Sequence, residues 1–330
     1  MVSQCLPSLG CGIHWHCHIA IILARLVVPC NVAADFVVVA LAKALLFSFF
    51  WSHMYLPPPK IDLFFYPLLT DFSIFSRYVV EDMGSVQVEV SPIAVKNGGD
   101  VEVAYTQRRN RRLKMPLSWF SIFDGHGGDK ASQYCSDWLS SFVRHDTSFP
   151  YDLGFSMKRA FAAIDKDFIG TGHPDGTTSC AVSLVGGRRI VCANVGDSRA
   201  IIVRKDGSVV RLSRDHKPGM PDETRRITEL GGKVIYWGRW RVEGLLAVSR
   251  AIGDASLKPY ITSEPEVCEY DIGKDDWFLV MSSDGVWDVL DNEEAAHVVI
   301  ATSCVMQDGE LVIDTDRFKW AARNLCEHAK

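Results

Sequence analysis

Two short segments of the sequence share a design that could hold a divalent cation. Residues 119–123 form an apolar run into Asp124, residues 278–283 form another into Asp284, and glycine follows each aspartate. A rigid strand would fix the carboxylate at the rim of a sheet, and the glycine would let a backbone carbonyl and water approach the ion. Asp-Gly is also a common turn dipeptide, so one copy would indicate only a turn. Two copies favour a metal site.

Further acidic and imidazole side chains stand close to these segments. His126 lies between glycines two residues after Asp124. Beside a metal site it could bind the ion or donate a proton to a leaving group. Asp288 follows Asp284 by four residues, and Asp197 lies in the turn at residues 195–199. Singly, each of these two aspartates is more often a turn former or a solvated acid; next to the two Asp-Gly segments they are candidate ligands.

Composition narrows the function classes. The chain has 330 residues, 48% of them hydrophobic and 23% charged, which is typical of a soluble globular protein with a sizeable core. A net charge of −5 gives no sign of the basic face of a nucleic-acid binder. Residues 11–18 include zinc-ligand types, but their spacing matches no structural zinc pattern, and an unstructured leader is the simpler interpretation. The cysteines after residue 30 are scattered singly, as buried reduced thiols are.

The chain divides into two parts near residue 75. Residues 33–51 are apolar and long enough to span a bilayer, but they include Asp35 and Lys43. A charge near mid-span costs roughly 2.5–3.5 kcal/mol. Residues 19–51 are therefore a membrane anchor, an extension packed on the domain, or sequence outside any functional product. The predicted domains are a hydrophobic extension (1–75), a lead-in (76–116) and a folded domain (117–330).

Beyond residue 116 the hydrophobic pattern predicts an α+β layered fold with antiparallel sheets, because runs typical of strands are joined by hairpin turns and helices come in blocks. The predicted strands are residues 117–123, 179–185, 189–194, 200–203, 209–212 and 277–282. The predicted helices are residues 130–144, 151–168, 221–230, 293–301 and 317–329.

The motifs carry a family resemblance. Residues 123–128, Phe-Asp-Gly-His-Gly-Gly, are very similar to the signature of the type 2C, metal-dependent protein serine/threonine phosphatases. The resemblance continues in order over roughly residues 117–330, and its wording is most similar to the plant branch. Its further motifs are residues 175–178, 194–200, 215–218, 246–254 and 283–288.

The resemblance implies a central sandwich of two antiparallel β-sheets flanked by α-helices, which hydrolyses phosphoserine and phosphothreonine in proteins. It implies two Mg²⁺ or Mn²⁺ ions in a cleft, with a bridging water as nucleophile. Asp124 would bridge both ions, Gly125 would offer its carbonyl, Asp284 would bind one ion, and His126 would protonate the leaving oxygen. Positions of a weaker third metal site are matched by Asp197 and Asp288.

Two departures from the family pattern bear on activity. The family opens with an arginine and a Met-Glu-Asp segment, which is not identified here: Glu102 lacks the surrounding motif, and residues 81–82 stand too far from Asp124. The family also continues into an Asp-Asn segment and a last strand, so the expected fold is truncated after Lys330. The alternatives are a phosphatase of impaired activity, an inactive binding or regulatory protein on the same fold, and a truncated fragment.

The resemblance implies phosphorylated proteins as substrates and an intracellular protein in the cytoplasm or nucleus, with a membrane-anchored alternative. Residues 237–240 contain two tryptophans and an arginine, types that favour interfaces, and could bind a kinase or a receptor. The alternative is an ordinary loop with its tryptophans packed on the core.

Overall fold

A computed structural model of the protein describes residues 21–25, 39–40, 76–89 and 112–329. The strands are β1 Ile21–Arg25, β2 Val39–Ala40, β3 Ser76–Glu89, β4 Arg112–His126, β5 Gly176–Thr177, β6 Ser179–Val185, β7 Arg189–Val195, β8 Arg199–Arg204, β9 Val209–Arg211, β10 Val234–Trp237, β11 Arg239–Val242, β12 Ile252–Gly253, β13 Glu266–Asp271, β14 Asp276–Ser282, β15 Cys304–Gln307 and β16 Glu310–Ile313. The α-helices are α1 Lys130–His145, α2 Leu153–Gly170, α3 Pro221–Glu229, α4 Asp284–Trp287, α5 Asn292–Ser303 and α6 Thr315–His328, and a 3₁₀ helix covers Ala255–Leu257.

Two antiparallel sheets dominate the fold. The first has the strand order β2-β1-β14-β8-β9, and the second has the order β12-β5-β4-β6-β7-β13, with β3 also paired to β4. The hairpin between β6 and β7 turns at Gly186 and Gly187, whose φ angles are 61° and 66°. Positive φ at both central residues is what a tight hairpin turn with the right-handed strand twist requires, and glycine adopts it without a steric penalty.

Alternation along the strands builds four layers. In β14, Leu279 and Met281 face the interior between the sheets, where they join Phe120 and Ile122 of β4. Phe278 and its alternate neighbour Val280 face outward onto α5 and α6. The helices α1 and α2 cover the outer face of the second sheet in the same way. Side chains of successive strand residues point to opposite faces, so each strand supplies two cores. The predicted sandwich flanked by helices is confirmed.

Most predicted elements are present with small shifts at their ends. β6 has the predicted bounds, α1 is longer by one residue, and α2 begins and ends two residues later. The exception is the segment at residues 237–240, which is the turn of the hairpin β10–β11. Trp237 is 79% exposed and Trp240 48% exposed. The alternative in which both tryptophans pack on the core is therefore wrong, whereas their use as a partner surface stays a prediction.

The amino-terminal predictions fall mostly outside the described residues. Residues 11–18 lie there entirely, and of residues 33–51 only β2 is described. The strand β1 pairs antiparallel with β14, with Ile21 opposite Ser282. Among the described residues, no helix has the length and apolar character needed to cross a bilayer.

Candidate active site

The end of β4, where Asp124 lies, is fixed by a segment distant in sequence. The Asp124 amide donates a hydrogen bond to Thr178 Oγ1 at 3.2 Å, and the Thr178 amide donates to the Asp124 carbonyl at 2.9 Å. Asp175 accepts a hydrogen bond of 2.8 Å from the amide of Ala131, in the first turn of α1. Gly127 has a φ of 71°, which lets the chain turn from strand into helix. The motif at residues 175–178 therefore holds both the strand end and the helix that follows it.

The end of β14 passes directly into the single helical turn α4. The Asp288 amide donates to the Asp284 carbonyl at 2.8 Å, so both aspartates lie on the same side of that turn. The buried Trp287 donates its indole N–H to the Ser282 carbonyl at 2.9 Å. The Arg199 guanidinium lies 4.9 Å from the ring centroid of Trp287, within cation–π range. The carbonyls of Ser282 and Asp284 accept hydrogen bonds from the turn itself, whereas Arg199 reaches the turn from a distant part of the sequence.

The two strand ends meet through their aspartates. The side chains of Asp124 and Asp284 lie within hydrogen-bonding reach of each other. Burial, the largest influence, and the charges of Asp197 and Asp288 together raise the pKa of Asp284 to about 6, although the Lys217 ammonium opposes them. The interaction with Asp124 also acts to lower this pKa. Crowded carboxylates disfavour ionisation of one another. A cation placed among them would relieve this repulsion, so the cluster is chemically suited to one.

Cations of the protein neutralise the outer part of this cluster. Lys217 forms an ion pair with Asp197, and its Nζ lies 3.7 Å from Asp288 Oδ1. Arg239 Nη1 lies 2.8 Å from Asp288 Oδ2. Burial lowers the pKa of Lys217, but the charge of Asp197 and its hydrogen bond, together with Asp288 and Asp284, hold it above its ordinary value. Lys217 therefore stays charged and screens Asp197 and Asp288 from each other.

His126 is the last residue of β4, and its side chain is 26% exposed. Its Nε2 lies 2.7 Å from Oδ2 of the buried Asp254. Burial lowers the pKa of His126, but the hydrogen bond and charge of Asp254, with the charges of Asp124 and Asp197, raise it above its ordinary value overall. Asp254 closes the motif at residues 246–254, but nothing in the residues around it predicts a role for it.

Of the predicted site residues, Asp124, Asp284 and His126 come together, and Asp197 and Asp288 lie beside them. Gly125 pairs with Thr177 in the ladder between β4 and β5.

The register of β3 places Glu81 and Asp82 away from the end of β4 where Asp124 lies. Glu81 and Asp82 of β3 lie opposite Trp119 and Ser118 of β4. Trp119 is five residues before Asp124, roughly 17 Å along a strand. The other candidate, Glu102, lies outside the described residues. Among the residues that the structure describes, β3 therefore supplies no match beside Asp124 for the expected Met-Glu-Asp segment.

The side chains of this cluster offer carboxylate oxygens, which are the donors that hard cations bind. Within the part of the chain that the structure describes, no three His, Cys, Asp or Glu side chains are grouped as a ready-made ion site. The contact between Asp124 and Asp284 nevertheless brings two carboxylates together, with two more aspartates in electrostatic range. Carboxylate oxygens are the ligands that Mg²⁺ and Mn²⁺ prefer. The residue types therefore fit these ions.

Known proteins are similar to this chain in sequence. The sequence model of the family described as Protein phosphatase 2C matches residues 95–330. The rice protein "Probable protein phosphatase 2C member 13, mitochondrial" (Oryza sativa subsp. japonica) is 39% identical over 221 residues, which cover 62% of this chain and 60% of the relative. "Probable protein phosphatase 2C 59" of Arabidopsis thaliana is 41% identical over 186 residues, covering 55% and 59%. The chain thus spans about three-fifths of the length of these curated relatives.

Solved structures share the fold. A C. elegans sex determining protein superposes with a TM-score of 0.58 at 23% identity, covering 77% of this chain and 60% of that one. The serine-threonine phosphatase 2C from Toxoplasma gondii superposes with a TM-score of 0.55 at 19% identity, covering 76% and 93%. The family match extends over more than half of the chain, and both curated relatives are plant proteins. The chain belongs to the protein phosphatase 2C family, in its plant branch.

Proposed function

We propose that this chain hydrolyses phosphoserine and phosphothreonine esters of proteins in the cleft where β4 and β14 end. The observation that carries the proposal is the contact between Asp124 and Asp284, two acids supplied by different sheets. His126 stands two residues from Asp124 with a pKa above its ordinary value, which suits a proton donor near neutral pH. Membership of a metal-dependent phosphatase family supports the same reaction.

The reaction exchanges one oxygen on phosphorus for another. The oxygen of water forms a new bond to phosphorus, the bond from phosphorus to the serine or threonine oxygen breaks, and that oxygen takes a proton from His126. The attacking water gives up a proton, which balances the one that leaves His126. An alkoxide is a poor leaving group, so protonation by a positioned imidazole contributes roughly 10²–10⁴-fold in rate.

Two divalent ions, Mg²⁺ or Mn²⁺, are part of the proposal. Asp124, Asp284 and the Gly125 carbonyl would hold them, and Asp197 with Asp288 would offer a third site. When bound, such ions neutralise the phosphoryl oxygens and lower the pKa of water. The chain itself places the carboxylates at fixed strand ends and keeps the proton donor on the last residue of β4.

Hydrolysis of a phosphothreonine peptide during a Mn²⁺ titration tests the proposal. Asp124→Asn removes a negative charge without changing size, and an ion site is worth several kcal/mol of transition-state stabilisation. We expect the rate to fall by roughly 10²–10³-fold at saturating peptide. The control is Asp271→Asn, because the Asp271 side chain is 78% exposed and pairs only with surface Arg189. A wild-type chain without Mn²⁺-dependent turnover would contradict the proposal.

A second candidate function is an inactive binding or regulatory protein on the same fold. Lys217 and Arg239 already pair with Asp197 and Asp288, so the protein supplies part of the positive charge of the cluster itself. Such a protein would bind a phosphorylated partner and not release inorganic phosphate. Affinity for a phosphothreonine peptide, measured without turnover in the same titration, separates it from the enzyme.

Phosphorylated proteins are the substrates that we propose, within the cell. A kinase or receptor would bind at the tip of the hairpin β10–β11, where Trp237 is exposed. Arg239 on the same hairpin reaches Asp288, which connects this surface to the cluster. A partner bound to this hairpin would therefore alter the ion pair of Arg239 with Asp288, one of the candidate metal ligands.

A further inference from the structure

We infer that Asp254 is the positioning residue for His126: it holds the proton on Nε2 of the ring and so leaves Nδ1 to protonate the leaving oxygen. The inference rests on the proposed function and adds to it a second residue and the identity of the nitrogen that donates. Four observations support it: the hydrogen bond, the space around it, the left-handed backbone of Asp254 and the other bonds that hold the Asp254 segment.

The hydrogen bond fixes the state of the ring. His126 Nε2 and Asp254 Oδ2 are 2.7 Å apart, a length typical of a charge-assisted bond. An ionised carboxylate can only accept, so Nε2 must carry the hydrogen. A histidine whose one nitrogen is tied to a carboxylate has its ring orientation and tautomer set by that bond. The exchangeable proton therefore belongs to Nδ1.

The surrounding backbone leaves room for this pair and for little else. Gly176 lies opposite His126 in the ladder between β4 and β5, and opposite Gly253 in the ladder between β5 and β12. A Cβ atom on Gly176 would collide with Asp254 Oδ2 and would come within 2.6 Å of His126 Nε2. Only glycine at this position lets the carboxylate and the imidazole meet, although they are 128 residues apart.

Asp254 is committed to this contact at a conformational cost. Its φ is 51°, in the left-handed region that non-glycine residues seldom adopt. It precedes the 3₁₀ helix Ala255–Leu257, yet its side chain makes no capping hydrogen bond to that helix. An aspartate before a helix ordinarily accepts a hydrogen bond from a backbone N–H of the first turn. Here the Asp254 carboxylate bonds to the His126 imidazole instead.

The pair is not needed to hold the segment in place. The amide of Gly253 donates to Asp165 Oδ1 at 2.8 Å, and Lys258 Nζ lies 3.0 Å from Asp165 Oδ2. The Asp254 amide also donates to the Asp175 carbonyl at 3.2 Å. These bonds fasten β12 and the residues after it independently of the Asp254 carboxylate. The Asp254 carboxylate is therefore free to set the orientation and tautomer of the His126 ring.

The test compares the rates at which the 330-residue chain hydrolyses two phosphate esters. A phosphothreonine peptide needs a proton on its leaving oxygen, whereas p-nitrophenyl phosphate releases p-nitrophenolate, which is stable as an anion and needs none. Asp254→Asn keeps size and tolerates the left-handed backbone. We expect it to lower kcat for the peptide by roughly 10–100-fold, as loss of an orienting partner does, and to leave kcat for p-nitrophenyl phosphate within about threefold of wild type. Equal losses on both esters would overturn the inference.

The matched control is Asp165→Asn, which loosens the same segment without touching His126. We expect it to affect both esters equally. A double-mutant cycle adds a second criterion, because residues that act as one unit are not additive. Asp254→Asn should have no further effect on peptide hydrolysis in a His126→Gln background. Full additivity would mean that Asp254 acts elsewhere, and would overturn the inference.

Proton NMR of the imidazole gives a readout that does not require turnover. We expect a slowly exchanging, downfield Nε2–H signal in the wild-type chain, assigned by its loss in His126→Gln. It should disappear or move upfield in Asp254→Asn and persist in Asp165→Asn. If the wild-type chain hydrolyses neither ester, the proposed function fails, and this signal alone decides whether Asp254 holds the ring. Its absence from the wild-type spectrum would overturn the inference.

Discussion

The ends of β4 and β14 begin from the same sequence design and are held in different ways. At the end of β4, Asp124 and His126 bond to Thr178 and Asp254, which come from distant segments. At the end of β14 the supporting bonds stay mostly within the α4 turn that follows it, such as that from Trp287 to the Ser282 carbonyl. At the end of β4 the distant segments hydrogen-bond to the backbone of Asp124 and to the ring of His126, whereas at the end of β14 the distant residues Arg199, Lys217 and Arg239 contact only side chains of the turn.

This difference shows where each half of the candidate site is vulnerable. Because β5 pairs with both β4 and β12, a change in either partner displaces the same junction. The α4 turn depends on a buried indole and on Arg199, so its damage should remain local. Three substitutions test this contrast, in decreasing order of expected effect.

Gly253→Ala should damage the β4 junction most, although it lies far from Asp124 in sequence. Gly253 has a φ of 88°, and a Cβ there would overlap the Asp175 carbonyl oxygen. Left-handed strain and a backbone clash together should lower the free energy of unfolding by about 2–5 kcal/mol. Gly172→Ala is the control, because Gly172 has a φ of 81° with open space around it. In urea denaturation Gly172→Ala should lose only about 1 kcal/mol of stability. Equal losses in the two variants would show that the close contact of Gly253 with the β4 junction does not matter for stability.

Glu223→Gln should change how acid affects the same junction. Glu223 is buried and pairs with Arg226 and Arg250, which hold the segment leading into β12. Burial raises its pKa, but the two arginines outweigh this and lower it to about 2. A depressed pKa contributes stability above the unfolded value, about 4.3, and that stability is lost as pH falls toward about 2.

The contribution at neutral pH is up to about 3 kcal/mol. We expect Glu223→Gln to be less stable than wild type at pH 7 and to lose less stability between pH 4.5 and pH 2.5 in urea denaturation. The control is Glu229→Gln, an exposed position at the end of the same helix. Parallel stability–pH curves for wild type and Glu223→Gln would show that this ion-pair cluster does not support β12.

Trp287→Phe should have the smallest effect, confined to the end of β14. It removes the hydrogen bond to the Ser282 carbonyl and weakens the stacking of Arg199, at a cost of about 1–2 kcal/mol. Hydrogen exchange at the Asp288 amide should speed up, and exchange at the Thr178 amide should not. Trp237→Phe, at a largely exposed position, should change stability by less than about 0.5 kcal/mol. Faster exchange at Thr178 would mean that the two strand ends are not independent.

The sequence predicted those parts of the fold whose signal is local. β6 was predicted to the residue, because a short apolar run is bounded by a glycine pair that makes the turn. β5 and β12 have two residues each and were missed, because only their ladder partners make them strands. The hairpin β10–β11 was missed because Tyr236, Trp237 and Trp240 are all exposed and give no alternation of apolar and polar residues.

The candidate site was predictable to the same extent. The convergence of Asp124 and Asp284 follows from the shared design of two strand ends, which the sequence displays directly. The partnership of His126 with Asp254 could not be read from spacing, because it is created by pairing through Gly176. The cations Lys217 and Arg239 were also missed, since their partners lie across turns that sequence does not position.

Mn²⁺ binding, measured by electron paramagnetic resonance of the free ion, tests most directly whether the two strand ends form one ion site. We predict that Asp124→Asn and Asp284→Asn each weaken binding at least about tenfold. The double variant should bind Mn²⁺ more tightly than the product of the two single losses would give, because both carboxylates bind the same ions. Undiminished binding in either single variant, with Asp271→Asn as the surface control, would contradict a site shared by β4 and β14.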